Sequence, residues 1–158
     1  MVGTYFVTSR TWESRSLFTS MPACKIFIEA LLQYRDQGAY QLHAFVLMPD
    51  HFHVLITPTS NVTLERAVQY IKGGSARRLG EELRLRFPVW QRGFSDHRIR
   101  DTEDYQNHVY YIEQNPVKER LVKVVNEYPW SSASGEFPLD EAPQGLKPRT
   151  ELISYRHG

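Results

Sequence analysis

Hydrophobic and polar positions change period several times along this chain, and each change marks an element. Residues Thr4 to Thr11 (TYFVTSRT) are rich in β-branched and aromatic types and predict a first strand. Met21 to Gln37 carries Ile26, Phe27, Ala30, Leu31 and Tyr34 at helical spacing. It starts behind Ser20 as an N-cap and stops at Gly38, so it predicts an amphipathic helix. Two extended runs, Tyr40 to Met48 and Phe52 to Thr57, are joined through Pro49 and Asp50 and predict an antiparallel hairpin. Thr63 caps a second predicted helix, TLERAVQYIKGGSARRLGEEL. Gly73 and Gly74 weaken its middle, where a break or the close approach of a ligand backbone is expected. Pro88 to Arg100 (PVWQRGFSDHRIR) reads as a strand or irregular ribbon bent at Gly93. A third helix starts near Thr102 with the capping-box-like TEDY and runs through HVYYIEQ until Pro116 disturbs it; the following VKERLVKVV reads as a short helical segment.

The order β, α, β, β, α, β, α predicts an α+β fold: a ferredoxin-like sandwich with a central antiparallel sheet and helices on one face, extended by a C-terminal helix. A length of 158 residues suits one domain with one core. Beyond Trp130 the run SSASGEFPLDEAPQGLKPR is rich in Pro, Gly and Ser and has no periodicity. Residues 1–134 are therefore expected to form the domain and 135–158 a tail or flexible arm.

Composition narrows the class. No uninterrupted apolar stretch approaches the roughly 20 residues that span a bilayer. The first residues, MVGTYFVTSR, lack a basic segment leading into an apolar one, so a cytoplasmic home away from membranes is expected. Cys24 is a single cysteine, unable to form an internal disulfide or a zinc ribbon, and is expected in a helix core. The net charge of +1 hides a local excess. Between Lys72 and Arg100, eight basic residues (Lys72, Arg77, Arg78, Arg84, Arg86, Arg92, Arg98, Arg100) face three acidic ones, a balance of +5. Seven of the eight are arginine, the side chain suited to bidentate phosphate contacts and to stacking on bases.

Candidate chemistry centres on LMPDHFHVLITP. Side chains two apart in a strand share a face, so His51 and His53 project together while Phe52 and Val54 point the other way. Such a pair is able to hold one metal ion, although an isolated HxH is equally consistent with one packed and one solvated imidazole. The third helix offers more. Tyr111 and Asn115 are four apart and stack on one helical face, whereas Tyr110 points about 100° away and is expected in the core with Val109 and Ile112.

HFH on a strand, YxxxN running into Pro-Val on a late helix, and a basic segment between them resemble the HUH-class single-strand transposases, and within them the REP-associated tyrosine transposases. The blocks that carry the resemblance are MPDHFHVLI, VWQRGFSDHRIR, YIEQNPVKERLV and YPWSSA, covering Thr4 to about Ser134. The resemblance implies that His51 and His53 are the metal-binding pair, Tyr111 the single catalytic tyrosine, Asn115 the third ligand, and the C-terminal helix the catalytic one. Insertion-sequence relatives tend to carry glutamine at the last position without the following proline, so Asn115-Pro116 favours the REP-associated branch.

A phenol with a pKa of about 10 is a poor nucleophile unaided. A divalent ion on His51, His53 and Asn115 would help by polarising the scissile phosphate. The expected reaction is attack by Tyr111 on single-stranded hairpin DNA to give a 5′-phosphotyrosyl link and a free 3′-OH, later rejoined. A ligand set without thiolates fits Mg²⁺ or Mn²⁺ better than structural Zn²⁺, and no organic cofactor is implied. Lys72, Arg77, Arg78, Arg92 and Arg98 are the candidate DNA contacts. Trp90 and Phe94 fit base stacking or burial equally, His97 and His108 read as surface residues before general bases, and His43 has no role. A monomer with Tyr111 acting in cis is favoured over a dimer, with use at the bacterial nucleoid.

Rival readings predict different behaviour. A hairpin DNA or RNA binder on the same fold would ignore both chelator and Tyr111→Phe, while a zinc hydrolase would cleave without a covalent adduct. A regulator that has lost strand transfer would keep the same residues.

Overall fold

In the computed structural model, which describes residues 3–146, the predicted elements follow in the predicted order. They are β1 (Tyr5–Arg10), α1 (Met21–Asp36), β2 (Tyr40–Met48), β3 (His51–Pro58), α2 (Leu64–Leu83), β4 (Ser95–Arg98) and α3 (Thr102–Lys118). The caps are where the side chains require them: Ser20 accepts from the Ala23 N–H and Thr63 from the Arg66 N–H. At α3 the cap is Asp101, one residue earlier than expected, accepting from the Asp104 N–H at 2.8 Å.

The strands form one antiparallel sheet in the order β2-β3-β1-β4. Alternation then sorts the side chains. Val7, Phe45, Leu47, Phe52 and Val54 face α1 and α2, where they join Phe27, Leu31, Val68 and Ile71 in the larger core. Ala44, Val46, Met48 and Leu55 point to the opposite face and pack with Ile112, Val109 and Tyr128. The fold is thus a sandwich with α1 and α2 on one face, and α3 is the additional helix, laid across the other. That second face also carries His51 and His53, since Thr8 lies opposite His53 and Arg10 opposite His51 in the β1–β3 register.

Several local expectations are corrected. Helix α2 is not broken at Gly73-Gly74. A Cβ on Gly74 would stand 2.6 Å from the ring of Tyr34, so α1 packs closely against α2 there. Gly73 has open space beside it. VKERLVKVV does not continue as a helix: Arg120 turns the chain with φ 62°, and the next helical turn is a 3₁₀ turn at Val125–Glu127. Leu121 and Val124 are exposed, and Val122 alone between them packs against the core. Pro116 is accommodated inside the last turn of α3, which ends two residues later. Tyr110 is 65% exposed and not in the core, because the packing stripe of α3 is Tyr105, Val109 and Ile112.

Residues beyond Gly135 run beside β2. Phe137 packs on Phe45 at 5.5 Å between ring centroids, and the Asp140 carboxylate accepts from the Leu42 N–H and from Arg35. This contact sits at a β-bulge, where His43 is extruded from the β2–β3 register, buried, and bonded through Nε2 to Thr57. The part of the expected tail at 147–158 lies outside the described residues.

Candidate active site between the sheet and the third helix

The site grows from two periodicities meeting. Phe6, Thr8 and Arg10 of β1 alternate onto the same face as His51 and His53 of β3, and Ser95 and His97 of β4 complete that row through the pairs Thr8–Ser95 and Phe6–His97. Above it, α3 presents Asp104, His108, Tyr111 and Asn115 at intervals of four, three and four, one stripe beside its packing stripe. Phe6, Thr8, Arg10, Ser95, His108 and Tyr111 line an open cleft of ≈ 530 Å³ with His53 in its wall.

Phe6 is the wedge that spaces the reactive rings. Its centroid is 5.1 Å from His53, 4.7 Å from His108 and 5.8 Å from Tyr111. His51 and His53 are 4.8 Å apart and His53 lies 5.4 Å from Tyr111, so the structure brings these three predicted residues together. Asn115 is buried one helical turn beyond Tyr111 on the same stripe.

Each histidine is oriented through Nδ1. His51 bonds Asp50 Oδ1 at 2.7 Å and His53 bonds Thr8 Oγ1 at 2.7 Å. A carboxylate only accepts, so His51 donates from Nδ1 and its neutral form keeps the lone pair on Nε2; such partners are what set the tautomer of metal-binding histidines. Burial first, then the charges of His51 and Arg10, push His53 down to a pKa of about 3, so at neutral pH it is an uncharged donor of a lone pair.

Two buried polar atoms here have no partner: His53 Nε2 and Asn115 Oδ1. Leaving such an atom unsatisfied costs about 1–3 kcal/mol, and two on facing elements, β3 and α3, need an explanation. A metal ion supplies one. Two imidazoles and an amide oxygen are all groups able to ligate a divalent metal ion. Tyr111 is 43% exposed at the mouth, where its phenol is open to a substrate.

A second cluster lies on the same stripe. The buried Asp104 carboxylate accepts from His97 Nε2 at 2.8 Å and from the Arg100 N–H at 2.8 Å, and His108 Nδ1 stands 3.1 Å from its other oxygen. The ligand atoms of His97, Asp104 and His108 all lie within 4.8 Å of one another. Burial by itself would raise the Asp104 pKa. The Arg100 N–H, the His97 bond and the charges of His97 and His108 outweigh it and hold the carboxyl below its ordinary range.

The basic residues scatter. Arg92 lines a shallow groove with Arg10, Phe94 and Ser95. Arg98 points to the other face of the sheet, over the Tyr5 ring. Arg77 borders a groove with Arg66, Tyr70 and the two glycines of α2. Lys72 donates to the carbonyls of Gln91 and Gly93, and Arg78 pairs with Glu29 and Glu82. Trp90 is buried, with its indole N–H on Ser75 Oγ, and Cys24 is buried in α1 with its thiol pushed up to about 12 by burial. Among the described residues no helix is long and apolar enough to cross a membrane.

Thr8, Arg10, Asp50 and Asp104 escaped the sequence reading. Alternation in TYFVTSRT groups Phe6 with Thr8 and Arg10, and the spacing from Asp104 to Tyr111 is two helical turns, so both signals were present. Only the strand register says what they face.

The family model described as transposase IS200-like matches residues 4–115. A REP-associated tyrosine transposase of Escherichia coli K12 is 31% identical over 147 residues, which cover 89% of this chain and 85% of that protein. A solved structure of a REP-associated tyrosine transposase bound to a REP hairpin superposes with a TM-score of 0.71 at 28% identity, covering 94% of this chain and 92% of that one.

Proposed function

From the premise that this chain belongs to the IS200-like transposases, as one of the REP-associated tyrosine transposases, we propose that it nicks and rejoins single-stranded DNA at hairpins through Tyr111. The observation that carries the reading is the pair of orphaned buried atoms, His53 Nε2 and Asn115 Oδ1, beside a tyrosine ring 5.4 Å from His53.

In the proposed reaction, Tyr111 Oη forms a bond to phosphorus as the phosphorus–O3′ bond breaks. The phenol gives up its proton and the departing oxygen becomes a free 3′-OH. The 5′-phosphotyrosyl link conserves the phosphodiester energy, so attack by a 3′-OH reverses the step without a nucleotide cofactor. His51, His53 and Asn115 are the residues that would hold a divalent cation, Mg²⁺ or Mn²⁺. When bound, that ion supplies stabilisation of the negative charge that builds on the phosphate oxygens. The side chains do the remainder: Asp50 and Thr8 orient the imidazoles, and Phe6 fixes the spacing between His53 and Tyr111.

The ligand class follows the hairpin held by the solved relative. For the phosphate backbone we propose Arg92 together with Arg10 beside the cleft, with Arg77 on α2 and Arg98 on the far face as outer contacts. Lys72 and Arg78 have protein partners that a phosphate would have to displace. Tyr111 and the histidines approach one another within one chain, which supports action in cis by a monomer. The catalytic unit in this reading is residues 1–134, and the described start of the 135–158 tail braces β2.

The test is a denaturing gel of wild type and Tyr111→Phe with end-labelled single-stranded hairpins from repeats in the source genome, with Mn²⁺ or EDTA. A metal-dependent, protein-sized shift that disappears in Tyr111→Phe is expected. Cleavage without an adduct in both proteins would instead mean hydrolysis. Binding with no cleavage by either would leave a hairpin-binding protein.

A further inference from the structure

We infer, on the strand-cleavage reading above, that His108 is the proton-transfer residue for Tyr111, and that Asp104 and His97 are its positioning residues. The argument is one of geometry. His108 precedes Tyr111 by three residues on α3, both line the cleft, and both rings touch Phe6.

The tautomer is set by the backbone. His108 Nδ1 lies 2.8 Å from the Asp104 carbonyl oxygen, which can only accept, so Nδ1 carries the hydrogen. The neutral imidazole therefore has its lone pair on Nε2, the nitrogen left for the cleft. Asp104 Oδ1, 3.1 Å from the same Nδ1, favours the imidazolium that results when Nε2 takes a proton. His97 donates to the same carboxylate and stacks on His108 with centroids 4.7 Å apart and planes 19° apart, which fixes the ring.

The step balances simply. The Tyr111 phenol proton passes to His108 Nε2, directly or through one water, as the oxygen–phosphorus bond forms; the phosphorus–O3′ bond breaks and the departing O3′ takes a proton from water to become the 3′-OH. On rejoining, the attacking 3′-OH gives its proton back to water, and the imidazolium returns its proton to the phenolate leaving phosphorus. Imidazole is suited to both directions because its charge changes within the working pH range.

An ion held by His97, Asp104 and His108 is the competing use of the cluster. Binding through Nδ1, the His108 nitrogen beside Asp104, would displace the hydrogen that Nδ1 donates to the Asp104 carbonyl. It would also need two nearly parallel stacked rings to aim their lone pairs at one point. Both requirements run against the arrangement present.

The experiment measures adduct formation with the end-labelled hairpin and Mn²⁺ from pH 5 to 9 for wild type, His108→Asn, His108→Ala, Asp104→Asn and His97→Ala. The Asn variant keeps a donor toward Asp104 while removing Nε2. Groups facing His108 that also titrate or carry charge are His97 on β4, His53 on β3, Arg10 on β1 and Asp104 and Tyr111 on α3, so hairpin affinity and Mn²⁺ stoichiometry are measured alongside. Expected are unchanged hairpin binding, a cleavage rate lower by about 100-fold in both His108 variants, loss of the acidic limb of the pH profile, and partial recovery of His108→Ala by added imidazole. Asp104→Asn is expected to lose about 10-fold with a displaced limb. A His108→Asn rate and pH profile equal to wild type would overturn the role of His108 while leaving Tyr111 chemistry standing. Loss of one bound Mn²⁺ in His97→Ala would overturn it in favour of an ion site. Absence of any adduct from wild type would overturn the cleavage reading and this role with it.

Discussion

Replacing Asn115 by leucine separates a ligand from a packing residue, because the two roles predict opposite signs. Asn115 is buried and its Oδ1 has no partner, so in the metal-free protein that atom is a liability of about 1–3 kcal/mol. Leucine has nearly the same shape and no polar atom. In EDTA, Asn115→Leu is expected to be more stable than wild type by about 1 kcal/mol, which for a chain of this size raises Tm by about 2–4 °C. Mn²⁺ should reverse the ranking. At 100 times its Kd a bound ion stabilises wild type by about 2.7 kcal/mol, an upward shift of about 5–10 °C. A 100-fold loss of affinity on removing one ligand would leave only about 0.4 kcal/mol at the same Mn²⁺ concentration, roughly a 1 °C shift. The assay is a thermal melt of both proteins in EDTA and across a Mn²⁺ titration, with Tyr111→Phe as a control that keeps the wild-type shift. A marked fall in Tm for Asn115→Leu in EDTA would mean that Oδ1 is satisfied after all. An undiminished Mn²⁺ shift in that variant would remove Asn115 from the ligand set.

Three further outcomes are expected. Asp50→Ala should weaken Mn²⁺ binding about 10–100-fold in a direct titration by releasing Nδ1 of His51, and an unchanged affinity would deny Asp50 its orienting role. Gly73→Ala should be neutral or stabilising by up to about 1 kcal/mol in denaturant melts, whereas Gly74→Ala should destabilise by forcing Tyr34 off its stack on Tyr70; equal effects would undo that account of the glycine pair. The pH dependence of the metal-free protein should carry His53: the unfolded chain takes up a proton near 6.5 that the folded site refuses until about 3, so stability is full above pH 6.5 and falls below it. The contribution is up to about 1.4 kcal/mol per pH unit, and His53→Leu should flatten that part of the curve in EDTA.

Much of this architecture was legible in the residues because it rests on period. Alternation placed His51 with His53, and the four-residue step joined Tyr111 to Asn115. What remained hidden depends on partners distant in sequence. Gly74 looks like a weak point in a helix until Tyr34 of α1 is set against it. Tyr110 and Ile112 both carry enough apolar surface to fit a core, and the side of α3 that meets Ala44, Val46 and Leu55 decides which is buried. His97 and His108 read as separate surface residues because their link, Asp104, connects a strand to a helix. The contact of Asp140 with β2 depends on the bulge at His43, which no local pattern announces.

The two faces of the sheet are coupled by that same strand alternation. His51 and His53 stay on the cleft face only while Phe52 and Val54 stay buried on the other, and a slip of one residue in β3 would exchange them. The larger core therefore sets the register of the site. Phe52 is completely buried, 5.1 Å from both Phe27 and Trp90, and Trp90 is in turn held by Ser75 of α2. Phe52→Ala would remove about 3–5 kcal/mol of packing from the strand between His51 and His53. Its effect should reach across the sheet: Mn²⁺ affinity should fall in this variant although neither histidine has changed, whereas truncating Leu31, buried on α1 in the same core, should lower Tm with Mn²⁺ affinity kept. Equal losses of affinity from both substitutions would mean that general stability, and not the register of β3, governs the site.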